Sequence, residues 1–289
     1  MTLFKRLQHL LKERQSNRLR ERADAERVAR AIESVVEGTN PKLRGVSSYL
    51  KQLQNPVHDL LGRIDDLVSP LPQAITVNQR SFNENGLINA LFSNSEQVQQ
   101  LFSQNRAVRR YFNTKDNLGR TDAFALFFVA CKEKTILGTE RRGEMLLRDV
   151  QQTAVVFSDH QLLAPEPTEE VVRATLKWTL LENVTKYIKE QISLLKQVLS
   201  EEEKQAAALN PEQNPNNPEV YLKALIEQLQ HPDELVRMHT TPLRISRMGI
   251  KLPLDSTAEA NQVTLFETAI GSGQPKAVVI VHFLRDEMG

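Results

Sequence analysis

Arg14, Arg18 and Arg22 recur at every fourth residue, a spacing that stacks three guanidiniums along one face of an α-helix. Eight residues at 1.5 Å each spread the row over about 12 Å, long enough for an extended anionic surface. Lys5, Arg6 and Lys12 precede it. Cations arranged this way bind carboxylates or phosphates. Three surfaces fit: lipid headgroups, an acidic helix of a protein partner, and nucleic-acid phosphates. On the lipid reading, Leu3, Phe4, Leu7, Leu10 and Leu11 insert at the interface while Lys5, Arg6 and Lys12 flank them. Nucleic acid fits less well, because Phe4 is the only aromatic residue of the arm and no nucleic-acid-binding motif follows. A plainer reading stands beside these. The helix packs at both ends on its own domain and is solvated in the middle, with Glu21 paired to Arg18.

The other chemically able residues carry less. Gly138 and Gly143 bracket Arg141 and Arg142, with Glu144 next. Such a segment can hold an anion in a loop, or form a salt-bridged corner between helices, and the corner is preferred. Ser158, Asp159 and His160 hold three catalytic residue types, but adjacent side chains point apart, so a turn is expected rather than a triad. Of six histidines, none makes an i,i+4 ligand pair, and one cysteine cannot build a zinc site. His282 lies in an apolar run and reads as a structural histidine, and Cys131 as an inert core residue. Asp65-Asp66, Glu169-Glu170 and Glu201–Glu203 have ordinary explanations on helix surfaces and starts. Nucleophile-elbow, phosphate-loop and dinucleotide glycine patterns are missing. No catalytic residue, metal or cofactor is therefore indicated.

The elements that must position these residues follow from periodicity. On one arc of roughly 120°, Leu3, Phe4, Leu7, Leu10 and Leu11 precede the arginine row, and Ala25, Val28, Ala29, Ile32 and Val36 follow it. One helix from Leu3 to Val36 is expected, capped by Gly38 and stopped by Pro41. Helices are also expected over 42–54, over 56–68 after a break at Asn55-Pro56, and in two short stretches between Asn83 and Arg110. Ala123–Cys131 is apolar on every side and reads as a buried helix. Thr153–Phe157 reads as a strand with Gln161–Ala164 as its hairpin partner. Thr168 caps a long helix reaching about Leu209, whose Leu181, Val184, Ile188, Ile192, Leu195 and Leu199 approach a heptad seam. Packing in a bundle is the expected use of that seam, and an intermolecular coiled coil over 168–209 is the alternative. Residues 210–218 form a linker with three prolines and no apolar residue. After a helix over 219–229, Leu243–Leu252, Val263–Ile270 and Lys276–Leu284 read as three strands, the first with a bulge near Arg247 or Gly249, and Gly271–Pro275 joins the last two.

The fold class expected is mainly α (α+β): a multi-helix, bundle-like body, a long N-terminal amphipathic helix and a small C-terminal antiparallel three-stranded unit. The parts expected are a basic arm over 1–40, a helical body over 41–209, the linker, and a helix plus β-meander over 219–289. At 289 residues, 40% hydrophobic and 25% charged, the chain can bury a sizeable core. Its net charge of +1 hides an asymmetry. Residues 1–30 hold nine Lys/Arg against four acids, a net +5, which leaves −4 on the rest. One cysteine excludes an internal disulfide, and no run of 18 apolar residues or signal-type apolar core occurs. The expectation is a cytoplasmic protein, with peripheral contact at the inner face of a membrane as one use of the basic helix. Its expected function is a non-enzymatic scaffold or adaptor docking through residues 1–37. The alternative is an enzyme or small-ligand-binding domain with a pocket between the helical body and the C-terminal strands.

Overall fold

The computed structural model describes the backbone of residues 3–78, 80–142, 145–198, 217–256 and 258–288, and side chains within 14–78, 80–139, 145–194, 217–256 and 258–286. The chain divides into two compact units, Met1–Asp66 with Thr179–Val236, and Leu67–Trp178 with Arg237–Gly289. Chain passage between them falls inside two helices, α2 (Tyr49–Val68) and α7 (Glu169–Val198), and again after Val236.

The first unit is helical. Helix α1 (Leu3–Thr39) buries Val28, Ala31, Ile32, Val35 and Val36 at helical spacing. Leu53, Val57, Leu60 and Ile64 of α2 are fully buried. Leu180, Leu181, Val184, Ile188 and Ile192 of α7 are buried too, as are Tyr221, Leu222, Leu225 and Leu229 of α8 (Pro218–Leu229). The apolar seam of α7 is thus spent inside its own unit over Leu181–Ile192, which corrects the coiled-coil reading; Leu195 and Leu199 lie outside the described side chains, as does most of the 210–218 linker. Two local expectations also change. A Cβ on Gly38 would stand 2.6 Å from Thr185 Cγ2, so this glycine serves close approach of α1 to α7, and α1 runs past it to Thr39. Pro56 does not break its helix. It removes one backbone donor, but Leu53 and Val57 on either side are buried, and that burial outweighs the lost bond. Ion pairs fasten the surface. Arg27 grips Asp65 through two bonds of 2.6 and 2.8 Å, and Arg63 meets Asp233 at 2.9 Å.

The second unit overturns the expected fold class. Its seven-stranded sheet has the order β3-β2-β7-β6-β4-β5. The strands are β2 (Asp122–Arg142), β3 (Met145–Glu166), β4 (Val236–Ile245), β5 (Lys251–Leu252), β6 (Asn261–Ile270) and β7 (Lys276–Leu284). Strand β1 (Ile75–Thr76) joins β7 in parallel, while the other described pairings are antiparallel. Ala154 of β3 bridges Ile250, and the Val155 amide donates to Gly249 O at 2.8 Å, so the sheet almost closes into a barrel. The chain is therefore not a helical bundle with a three-stranded appendage. Strands β6 and β7 and the turn between them lie close to the expected ranges, but they belong to this larger sheet.

Ala123–Cys131 is the decisive correction. The segment is buried as expected but is a strand, part of β2. Both parities are covered: Ala125, Phe127 and Val129 on one face, Leu126 and Phe128 on the other. A strand buried on both sides has no alternation, so its periodicity matches that of a buried helix; only its phenylalanines favoured a strand. Likewise Ser158–His160 is no turn. Strand β3 runs straight through, carrying one extra residue against β2 at three places. At each of them a residue adopts positive φ: Asp149 (57°), Asp159 (55°) and Ala164 (51°). Three bulges bend β3 and supply the curvature that near-closure needs. Between β4 and β5 there is a hairpin turn through Gly249 (φ 77°), not one bulged strand.

Short helices cover one face of the sheet: α3 (Ser81–Glu84), α4 (Gly86–Leu91), α5 (Ser95–Ser103) and α6 (Arg106–Asn113). Asn85, Asn94 and Asn105 cap the last three through side-chain oxygens. Ile88, Phe92, Phe102, Val108 and Phe112 pack there against Phe127, Leu265 and Phe283.

Candidate functional site

The arginine row lies on α1 where that helix has left its core. From Arg14 to Glu26 every residue is exposed; Arg27 is half-buried and Val28 is the first buried position. Arg14, Arg18 and Arg22 therefore face solvent, and among the described residues none of them forms an ion pair. The Arg18–Glu21 pairing is not formed. Lys5, Arg6 and Lys12 lie on the same continuous helix, with side chains outside the described residues.

Next to the row, α1 and α2 diverge around a groove of about 670 Å³. Ala25, Val28, Ala29 and Ile32 of α1 and Leu50 of α2 give it an apolar floor. Glu21 and Asp24 make an acidic rim on the α1 side, with His58 Nε2 3.7 Å from Asp24 Oδ2, and Lys51 lines the α2 side. One helix thus presents guanidiniums and, a turn or two later, carboxylates beside an apolar slot. Nothing in the sequence announces the slot, because it depends on where α2 lies.

Arg141 and Arg142 stand at the far end of β2, in register with Leu146 and Met145. They end a two-stranded ribbon and not a corner between helices; their side chains lie outside the described residues.

The sheet assembles a polar line that sequence reasoning did not find. His282 on β7 lies 3.0 Å through Nε2 from Asp122 Oδ2 on β2, and 3.3 Å through Nδ1 from Thr76 Oγ1 on β1. A hydroxyl, an imidazole and a carboxylate in line are the parts of an acyl-transfer relay. Here they do the work of a clasp. Strand β1 has only two paired residues, Ile75 and Thr76, and a further tie from the Val77 amide to His282 O at 2.8 Å. The Thr76–His282–Asp122 line secures that edge. Both ring nitrogens of His282 are thereby partnered, in keeping with a structural histidine. His160 is held similarly, stacked on Phe92 and Phe127 with Nε2 2.8 Å from Leu91 O.

Remaining reactive groups are muted. Burial pushes the Cys131 thiol up to about 11, so the thiolate is scarce at neutral pH. Burial also raises Tyr111, whose hydroxyl has no hydrogen-bond partner among the described residues. No cluster of three or more His, Cys, Asp or Glu that could hold a metal ion occurs among the described residues. No described helix is long and apolar enough to cross a membrane.

Comparison with protein-family models, with curated proteins and with solved structures gives no match.

Proposed function

We propose that this chain is a non-enzymatic interaction protein, a scaffold or adaptor that docks through helix α1 onto an anionic surface. One observation carries the reading: α1 remains helical for some three turns of wholly exposed residues, Arg14–Glu26, with its three stacked guanidiniums unpaired among the described residues. Thirteen residues at 1.5 Å each make this stretch about 20 Å long. An isolated helix of that length is marginal in water, so a covering partner would stabilise it. The second half of the same helix is anchored, which fixes the direction in which the row points. The proposed occupant is anionic because the row is cationic and preceded by Lys5, Arg6 and Lys12.

The test compares wild type with R14Q/R18Q/R22Q, since Gln keeps helix propensity near that of Arg. The probes are phosphatidylserine-containing vesicles, random duplex DNA and polyglutamate beads. Wild type should bind at least one of them, with affinity that falls as salt rises. The variant should lose roughly 1 kcal/mol per charge removed. Its circular dichroism should match that of wild type, because the three side chains are exposed in the chain's own fold. Absence of wild-type binding to all three probes, in a chain that is also monomeric, overturns the reading, and the probe that does bind names the source of the anion.

A further inference from the structure

We propose that the surface met by the arginine row is a second copy of α1, lying antiparallel across the α1–α2 groove. The inference rests on the docking role given to this helix and names its partner. One helix carries both members of each complementary pair. Arg14 and Arg18 come first, and Glu21 and Asp24 follow on the groove rim. All four are exposed.

Turn a second α1 end over end about a point between residues 19 and 20. Arg18 of one copy then comes opposite Glu21 of the other, and Arg14 comes beside Asp24. The two-fold repeats both contacts, which gives four ion pairs from one register. A parallel pairing would instead set Arg14, Arg18 and Arg22 against themselves.

The same register matches the apolar positions. Position 7 of one copy falls opposite position 32 of the other, position 10 opposite 29, and position 11 opposite 28. Positions 7, 10 and 11 are leucines, and Val28, Ala29 and Ile32 form the groove floor with Ala25 and Leu50. Ala25 and Ala29 are exposed, and small side chains there let a second helix approach closely. The apolar–arginine–apolar order of α1 is then accounted for. Apolar positions of each copy thus run along the other copy's groove, and the arginines between them meet the acidic rim. A lipid surface would leave the groove and its carboxylates without a counterpart.

Charge reversal tests the register on the full chain. R14E/R18E makes the central stretch of α1 acidic in both halves, and E21R/D24R makes it basic in both. By sedimentation velocity wild type should dimerise, and the dimer should weaken with salt. Each variant alone should be monomeric, with its dissociation constant raised at least about tenfold. Mixed in equal amounts, the two variants should form a heterodimer, because each supplies what the other lacks. Circular dichroism checks that both variants remain folded. Monomeric wild type, variants that dimerise like wild type, or a mixture that stays monomeric would each overturn the proposal. If the chain is monomeric yet binds vesicles, DNA or polyglutamate through the arginine row, only the self-pairing fails; if it does neither, the docking reading fails with it.

Discussion

Each unit sends one element out of its own core, and the two exits differ in kind. In the first unit α1 leaves as a helix, bearing charges: Arg14, Arg18, Glu21, Arg22 and Asp24 are exposed. In the second unit β2 and β3 leave as a ribbon, bearing apolar groups: Leu137, Met145 and Leu146 are 70%, 70% and 63% exposed. A helix satisfies its backbone internally, so its side chains are free to be chosen for a partner. From Thr135 to Arg142 the ribbon's first strand is in register with β3 alone, and a lone two-stranded ribbon is marginal in water. Exposure alone does not mark a docking surface. What distinguishes α1 is a cationic row beside a groove whose α1 rim carries carboxylates.

Truncation of α1 has the largest expected effect. Within the chain's own fold, residues 14–24 are all exposed, so in the monomer, at dilution, removing 1–24 should shift the melting temperature by less than about 2 °C. Removing 1–41 also deletes Val28, Ala31, Ile32, Val35 and Val36, all buried. At about 1.5–3 kcal/mol for each side chain, the loss rivals the whole stability of a domain. Cooperative unfolding of the helical unit should vanish, as measured by circular dichroism. Equal tolerance of both truncations would mean that α1 does not anchor in that core.

A smaller effect sharpens the ribbon side. Phe127 is 1% exposed and stacks on Phe92 at 5.4 Å, so Phe127→Ala should cost about 3–5 kcal/mol in denaturant melts. Leu146→Ala, toward the ribbon's far end, should stay within about 0.5 kcal/mol. A comparable loss at both positions would show the outer ribbon to be covered in solution. Another small effect lies in the body of the sheet, between the Leu126–Leu163 and Phe124–Glu166 pairs. Ala164 holds a left-handed backbone at φ 51°, which costs an L-residue roughly 1–2 kcal/mol. Ala164→Gly relieves that strain and gives back part of the gain as chain entropy. A net stabilisation below about 1 kcal/mol is expected, and a loss would argue against the bulge.

Legibility followed the range of the interactions. The long first helix, the Thr168 start of α7, the buried seam at Leu181–Ile192 and the last hairpin were readable because each is set by residues near in sequence. The sheet was not. Phe124–Phe128 pair with Val278–His282 across some 150 residues, and no local pattern reports such a partner. Pro56 misled because propensity was weighed without the burial around it. The arginine row was legible as a row. Its groove was not, since Leu50 and His58 arrive from another helix. The Thr76–His282–Asp122 clasp joins three strands, and register alone creates it.

Strand β7 has one further consequence, in the order of synthesis. It lies between β2 and β6 and also receives β1, so it is the hub of the sheet. Yet it follows every other strand in the chain. While the ribosome is still making it, the β2–β3 hairpin can already be formed, with the edge of β2 open from Asp122 to Val129. An open, apolar edge of that kind recruits stray strands. The nascent chain should therefore depend on a chaperone until β7 emerges, and a nonsense mutation just before Lys276 should yield aggregate rather than a shortened domain.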